Sequence, residues 1–434
     1  MSHGLSPVTI KDVPAIVSAK PFTIPTGSKV VLGALVLLGI GGFVLEVSLG
    51  TPQHAWVALH INFIYWLCIA AASTCFSSAL HICNAQWVRP IRRLFEAGSS
   101  FFLISPLFLI VLYLGHQYMF PWAHQAIPGK GIWLTGQFLY TRDALAILVL
   151  ILLGRHVVKL SIRRDILAIR GGLTGMTESE TARWRDKRYD CYAENASNDA
   201  IADIRRSHGL MGRFSPAVII FYALAMSLVA FDQVMSVDPL WYSTMFGGFV
   251  FMGAVYLAMA WTSMIVGFSR SIHPLFMQKI ERRTLHDLGK LLFGFGIFWA
   301  YLFWCHYLPI WYGNMPEETG WIILRLREQP WHDFAWIVLG LCFIIPFMLG
   351  LNRDLKQVPR LLFATGAIVA VGMWLQHYLL FVPSLSPTEI PLNFTDLSVT
   401  LGFFGIYMLS VAHFLERAPL MPFGDLYLPE TTLR

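Results

Sequence analysis

The sequence predicts an all-α, polytopic membrane protein of ten transmembrane helices, and three observations carry that expectation. Apolar stretches of about 20 residues recur from one end of the chain to the other, the length a helix needs to cross about 30 Å of hydrocarbon. Charge is sparse: 13% of the 434 residues are Asp, Glu, Lys or Arg, 56% are hydrophobic, and the mean hydropathy is +0.57. Soluble domains carry about 25% charged residues. The basic residues, finally, gather on alternate loops.

The expected spans are 29–49, 55–82, 96–118, 142–162, 214–234, 241–268, 287–313, 331–351, 359–381 and 394–416. Backbone polar groups in lipid must be satisfied within the segment, so these are helices and not open strands. The first apolar run follows Lys11, Lys20 and Lys29 and is too long for a signal-peptide core, so it reads as a retained helix. One side of the membrane receives the N-terminal tail, Arg89, Arg92 and Arg93, the long loop 163–213, Arg270, Lys279, Arg282 and Arg283, and Arg353 with Lys356. Of 32 basic residues only Lys130, Arg142, Arg325 and Arg327 fall on the other side. That asymmetry places both termini in the cytoplasm. It also accounts for the pI near 9.0 without nucleic acid, since no basic stripe is interleaved with stacking aromatics.

The six cysteines (Cys68, Cys75, Cys83, Cys191, Cys305, Cys342) form no CxxC or CxxCH, which leaves them as small packing residues. In the polar loop 163–213, Thr177-Glu178-Ser179-Glu180 predicts a capping box opening a charged helix in a solvated hairpin; docking to a partner protein is the alternative.

Compared with itself at an offset of about 190, the chain matches in order. Arg92-Arg93 meets Arg282-Arg283, Glu96 meets Asp287, and Gly98 meets Gly289. Further on, His116 meets His306, Trp122 meets Trp311, Gly131 meets Gly320, Asp143 meets Asp333, and Arg164-Asp165 meets Arg353-Asp354. Helices 2–5 and 6–9 therefore read as two four-helix bundles in parallel repeat, flanked by helices 1 and 10. The domain plan is a cytoplasmic segment at 1–28, helix 1 in 29–54, the first bundle at 55–240 with insertion 163–213, the second at 241–393, and helix 10 with its tail at 394–434.

Ionisable groups within the bilayer are costly and mark function by default. Glu46, His60, His116, Asp143, Asp232, His306, Asp333 and His377 lie toward the outer ends of their helices; Glu96, His81, His286, Asp287, Lys290 and His413 lie toward the inner ends. Between them, Ser73, Thr74, Ser77 and Ser78 on helix 2 and Thr262 and Ser263 on helix 6 can hold waters. The plain alternative for any one of these is interfacial snorkelling or helix capping. Collectively they predict a proton route or polar pocket opening outward, with His306 and Asp232 deepest. A b-type haem needs facing histidines; His60, His116, His306 and His377 share a depth, which leaves one open without pointing to it. Gly289-Lys290 lacks the upstream glycines of a phosphate loop.

Three long motifs complete the sequence reading. Phe231-Asp232-Gln233-Val234-Met235-Ser236-Val237-Asp238-Pro239 runs on to Trp241-Tyr242-Ser243-Thr244. Leu285-His286-Asp287-Leu288-Gly289-Lys290-Leu291-Leu292-Phe293 leads to Phe298-Trp299-Ala300-Tyr301, and Ile310-Trp311-Tyr312-Gly313-Asn314-Met315-Pro316-Glu317-Glu318-Thr319 follows. Over about residues 29–416 the chain resembles the second large membrane subunit, ActF type, of bacterial alternative complex III, within the NrfD/PsrC-like superfamily. The resemblance implies a subunit of a quinol:cytochrome c, or other periplasmic acceptor, oxidoreductase in the bacterial inner membrane. This type is without a haem or metal of its own. Menaquinone or ubiquinone would be the lipid-soluble carrier, with c haems and iron–sulfur clusters in partner subunits. Those partners are a second NrfD-like ten-helix membrane subunit, a multihaem c-type cytochrome, an iron–sulfur subunit and a monohaem cytochrome.

By their places in the motifs, Asp232, His286, Asp287, Lys290, Glu317 and Glu318 are carried over as proton-path candidates. The family pattern often has Gln where this chain has His306. One rival is a quinol-binding anchor of another NrfD/PsrC-type oxidoreductase, of the polysulfide- or nitrite-reductase kind. The other is a secondary transporter, which would break helices at mid-membrane.

Overall fold

The computed structural model describes residues 23–125, 127–174, 178–194, 196–197, 199–272, 280 and 282–425. Among them ten helices are long and apolar enough to cross a membrane: α1 Thr26–Leu49, α2 Pro52–Ile82, α3 Arg89–Met119, α4 Gly136–Arg170, α5 Ala200–Val237, α6 Phe246–Phe268, α7 Arg282–Gly313, α8 Trp331–Leu351, α9 Pro359–Ser384 and α10 Phe394–Arg417. No strand occurs among the described residues. The protein is thus an all-helical, multi-pass membrane protein.

Each expected span lies on one of these helices, and the differences are at the ends. α4 and α5 continue well past the expected 162 and 214, as a charged helical pair projecting beyond the apolar zone. Polar residues hide a helix from a hydropathy reading once it leaves lipid. The charged helix expected near 178 is only the single turn Glu178–Thr181, followed by two 3-10 turns and another single helical turn; Thr177, its expected cap, lies outside the described residues. Trp184 and Tyr189 of this segment pack with Ile162, Ile166 and Ile169 of α4 and with Ala418, so the insertion folds back on the bundle. In α3 a 3-10 stretch, Ser99–Leu103, precedes the Pro106 turn.

Pairwise packing closes two rings of the same order. α2, α3, α4 and α5 pack in sequence with α5 returning to α2, and α6, α7, α8 and α9 do the same with α9 returning to α6. The rings meet through α2 against α6, with α5 touching α6 and α9 touching α2 as an equivalent pair. This is the arrangement a parallel repeat produces about an axis along the helices. Burial follows it: the apolar windows of α2 and α6 are 94% and 83% buried, against 11% for α1.

α1 and α10 stand outside both rings and pair with each other against α2. A lipid-exposed helix gains nothing hydrophobic by leaving lipid, so close van der Waals contact must hold it. The sequence supplies Gly39 and Gly42 on α1 and Gly402 and Gly405 on α10. A Cβ on Gly402 would lie 2.8 Å from the Gly39 Cα, and one on Gly405 would lie 2.7 Å from the Leu32 carbonyl oxygen. The Ile24 amide and Lys29 both donate to Glu416 at 3.1 and 3.0 Å. The start of α1 and the end of α10 therefore share one face, called here the N-terminal face; its opposite is the far face. Gly402→Val should separate the pair and destabilise the protein by about 1–3 kcal/mol, read as a lowered Tm in detergent, while Gly41→Val, beside open space, leaves it within error.

Candidate functional site

At the far face the end of α5 does not stay α-helical. Ala230–Val234 forms a π-turn and Met235–Val237 a 3-10 turn, a local unwinding that often marks function. It buries Asp232 and Gln233, side by side, in the first bundle. Arg142 of α4 grips Asp232 through Nε at 2.5 Å and Nη2 at 2.6 Å, and its guanidinium lies 3.8 Å over the Trp133 ring. Next along α4, Asp143 accepts from Gln233 Nε2 at 2.7 Å. His60 of α2 donates from Nε2 to the Gln233 carbonyl at 2.8 Å.

Four buried polar atoms here have no hydrogen-bond partner: Asp143 Oδ1, Gln233 Oε1, His60 Nδ1 and the Tyr140 hydroxyl. Orphans on this scale are uncommon in native proteins and call for water or a transferable proton. Asp232 is held by a bidentate arginine; Asp143, buried beside it, accepts from the Gln233 amide and is in direct electrostatic contact with Asp232.

At the N-terminal face a second cluster forms around α3. Arg93 bonds both Glu96 and Asp165, Arg92 bonds Glu96 at 3.2 Å, and Ser161 donates to Glu96 at 2.7 Å. The chain after α10 folds into this cluster. Pro419 accepts from Arg93 at 2.9 Å, the Gly424 amide donates to Asp165 at 3.0 Å, and Asp425 faces Arg89 and Arg164 at 3.6 and 3.4 Å. Gly424 is required there, since a Cβ would fall 2.3 Å from the Arg164 carbonyl oxygen. His81, at the other end of α2 from His60, donates to the His208 carbonyl at 3.3 Å and lies 3.5 Å from Arg92.

α2 joins the clusters. His60 and His81 stand about 31 Å apart along its axis at about 1.5 Å per residue, roughly the hydrocarbon thickness. From the far face, Tyr65 takes a bond from Trp261 and gives one to Ala370, both at 3.0 Å. Cys68 lies 3.8 Å from His377 Nε2. Ser73, Thr74, Ser77 and Ser78 follow, all buried. The turn Ile69, Ala70, Ala71, Ala72 interrupts the line. Beside it, the Tyr407 hydroxyl of α10 and Ser73 Oγ both approach Gly98, at 3.2 and 2.6 Å from where a Cβ on it would lie.

The second bundle holds a different feature: a cavity of about 310 Å³ whose walls include Phe249, Trp299, Phe303 and Trp321, with His306, Gln376 and Arg325 as polar lining. His306 is 6% exposed; Nδ1 is 2.9 Å from Ser243 Oγ, and Nε2 has no partner. Arg325, on the short helix Pro316–Leu326, is held by the carbonyls of Leu379 and Leu380 and lies 3.8 Å over Trp321. Burial lowers its guanidinium from the usual range, with Asp238 opposing that shift.

The remaining expected residues are scattered. Glu46 accepts from Thr51 and from Thr395 at the α1–α10 joint and lies 3.6 Å from His54, which also contacts Asp396 at 3.0 Å. His116 donates to the Tyr113 carbonyl at 2.6 Å and is half-buried. His377 donates to the Met373 carbonyl at 2.7 Å. Asp333 is exposed and bonded to Gln329 at 3.3 Å. Glu317 and Glu318 occupy the first turn of the Pro316–Leu326 helix, where they complement its dipole. Lys290 pairs with Asp287 at 2.7 Å, and His286 is 4.0 Å from Asp287. Lys356 covers Gly289 beside them; burial, with Lys290, lowers its ammonium from the usual range. This trio is half open to solvent. Among the described residues no group of three His, Cys, Asp or Glu is placed to hold a metal ion.

The sequence reading missed Gln233, Asp165, His208, His54 and Asp425 as site residues, and took Arg142, Arg92, Arg93 and Arg164 for loop charge. One signal was present: Arg164-Asp165 recurs in the repeat as Arg353-Asp354. No protein-family model matches the chain, and no curated protein is a significant match.

Arg142→Gln leaves Asp232 buried without its counter-charge and should cost about 3–5 kcal/mol, read by denaturant or thermal unfolding in detergent. Adding Asp232→Asn should recover most of that loss; no recovery would show that the pair is not the coupled unit.

Proposed function

We propose that this chain is an integral subunit of a quinol oxidoreductase of the alternative complex III kind and provides its transmembrane proton path. One observation carries the reading: a single helix almost wholly enclosed by protein, α2, bears polar groups from the Asp143 cluster at one end to the Glu96 cluster at the other. A protein that needed only to anchor partners would have no reason to keep these groups at the centre of its fold, where each requires a compensating partner. The long motifs around Asp232 and Lys290 agree with it. The cytoplasmic side would be the N-terminal face, which holds most of the basic residues, and the membrane a bacterial inner membrane.

On this reading Asp143 exchanges a proton at the far face, flanked by His60. His60 donates at Nε2 to a peptide carbonyl, which fixes the ring, so the Nδ1 lone pair would take up a proton and return it at the same atom. The tyrosine and serine hydroxyls, each donor and acceptor, carry it on past the Ile69–Ala72 turn toward Ser161 and Glu96. Lys290, His286 and Asp287 lie on the half-open part of the N-terminal face and suit proton collection more than transfer. Electrons travel in partner subunits: the second membrane subunit, the cytochromes and the iron–sulfur subunit.

A second reading is favoured by the aromatic cavity. Its walls are flat rings, and the buried His306 Nε2 has no hydrogen-bond partner, a combination that suits the head of a menaquinone or ubiquinone. The chain would then bind quinol itself, as a membrane anchor in a related oxidoreductase does. A secondary transporter has less support. The π-turns in α5 and at Gly340–Ile344 in α8 fall on helices that are not repeat mates.

The experiment is proton and electron counting with the assembled complex in vesicles. Asp143→Asn and Tyr407→Phe should slow proton transfer on the order of 10²-fold while the complex still assembles. An unchanged proton-to-electron ratio in both would remove the proton path. His306→Ala should raise the KM for a soluble quinol about tenfold on the second reading and leave it unchanged on the first.

A further inference from the structure

Outside both clusters, a groove of about 790 Å³ opens between α4 and α10. These two helices make no substantial contact with each other, and the 3-10 stretch of α3 closes the floor. The deep half is apolar, lined by Leu152 of α4, Phe102 of α3 and Ile406 of α10. Toward the N-terminal face the lining changes to Arg155, Lys159, His413 and Arg417. Arg155 and Lys159 are one turn apart on a single face of α4. Both lie inside the apolar stretch 142–162, so their charges sit at or below the level of lipid headgroups.

Other cations nearby are satisfied by the protein. Lys29 pairs with Glu416 at 2.8 Å, Arg170 with Asp190 at 3.0 Å, and Arg163 donates to the Glu194 carbonyl at 2.8 Å. Among the described residues none of Arg155, Lys159 and Arg417 forms an ion pair with a carboxylate. Two cations at bilayer depth, Arg155 and Lys159, without a counter-charge are costly unless the surroundings supply one, and Arg417 at the end of α10 adds a third beside them. A hydroxyl already waits in the groove: Ser100 Oγ lines it and is buried with no hydrogen-bond partner. Tyr192, from the insertion folded over the groove mouth, adds a phenol close to Arg155.

The geometry points to a binding site for an anionic phospholipid, its phosphodiester held by Arg155, Lys159 and Arg417 and an acyl chain lying in the apolar half. The occupant is a lipid and not a free anion because the groove is amphipathic along the membrane normal, apolar toward the bilayer centre and cationic at the interface, as a phospholipid is. A free phosphate would leave the Leu152–Ile406 half unfilled. The site does not depend on the proton path. It borders that path, however, since Thr74 and Ser99 also line the groove, so a bound lipid seals the α2 hydroxyls from the side.

The test uses the full chain purified in detergent, exchanged with dioleoyl-phosphatidylglycerol or dioleoyl-phosphatidylcholine and read by native mass spectrometry. The wild type should retain the anionic lipid about a hundredfold more than the zwitterionic one, and each cation removed should cost about fivefold. Arg155→Gln/Lys159→Gln/Arg417→Gln should abolish the preference, and Arg155→Lys should keep it. Leu152→Trp, which obstructs the apolar half from a lipid-facing position, should lower retention of both lipids and so supplies a readout if the triple variant does not fold. Equal retention of the two lipids by the wild type would overturn the site. Displacement of the anionic lipid by millimolar inorganic phosphate would overturn it as well, in favour of a simple anion site.

Discussion

Helix α2 is almost wholly enclosed by protein, and most of the molecule can be read as the means of keeping it so. Its polar side chains could not face hydrocarbon without losing their partners: His60 and His81 find theirs on α5 in Gln233 and His208, Tyr65 finds Trp261 of α6 and Ala370 of α9, and Thr74 and Ser78 bond back to α2 itself. The repeat explains how one helix acquires so many neighbours. Where two four-helix rings meet about an axis parallel to their helices, the helices nearest the axis are enclosed by their own ring and by the other. α2 and α6 hold those positions. α10, with α1 clasped to it through paired glycines, covers the remaining side of α2 with Tyr407 and Phe404 against Trp66.

The two rings share a plan but not a chemistry. In the first, Arg92-Arg93, Glu96 and Arg164-Asp165 are buried in one ion cluster; in the second, Arg282-Arg283 and Arg353-Asp354 are exposed and Asp287 is half-buried. The difference lies in what covers them. The C-terminal segment to Asp425 and the base of the long α4–α5 pair cap the first ring at this end; among the described residues the second ring is covered there by the 352–358 turn. At the far face Asp143 is buried and its repeat mate Asp333 is exposed. The histidines are reversed, with His116 half-buried and His306 enclosed. One ring thus retains charge in its interior and the other an aromatic cavity, a division of the kind that duplication permits.

The spans were legible because lipid imposes one strong rule on every residue that crosses it, and the repeat was legible because Arg-Arg and Arg-Asp pairs are rare enough to align. The insertion was not, since α4 and α5 leave the apolar zone as polar helices that hydropathy reads as loop. Burial of the candidate residues was legible in part for a related reason. Depth along a helix can be counted, so His60, Asp143, Asp232, His306 and Glu96 were placed near helix ends, where the structure buries them; azimuth and partner cannot, so the exposed Asp333 and the helix-start residues Glu317 and Glu318 were grouped with them. Counting basic residues to orient the chain treats Arg92, Arg93 and Arg164 as solvated charge. All three are buried; the i,i+4 and i,i+3 pairs of Arg92 and Arg93 with Glu96 are local, but Asp165 and Asp425 reach the cluster from α4 and the C-terminal end, which no local pattern announces.

Those pairs also bear on which groups can conduct. A carboxylate held by two nitrogens of one arginine, like Asp232, is stabilised in a single charge state and would need to break both bonds to accept a proton. A carboxyl bonded to an amide, with one oxygen unpartnered, has no such barrier. The far-face cluster sets the two side by side, Asp232 and Asp143, linked through Gln233 and in direct electrostatic contact. On the proposed route, proton exchange at Asp143 would therefore be coupled to the charge that Arg142 fixes on Asp232. At the N-terminal face Glu96 has two arginines and a serine, and there the conducting element would be the Ser161 hydroxyl and bound water instead of the carboxylate. The proposed route is therefore asymmetric: a titrating acid at one end, and at the other a fixed charge that sets the potential for protons passing on hydroxyls.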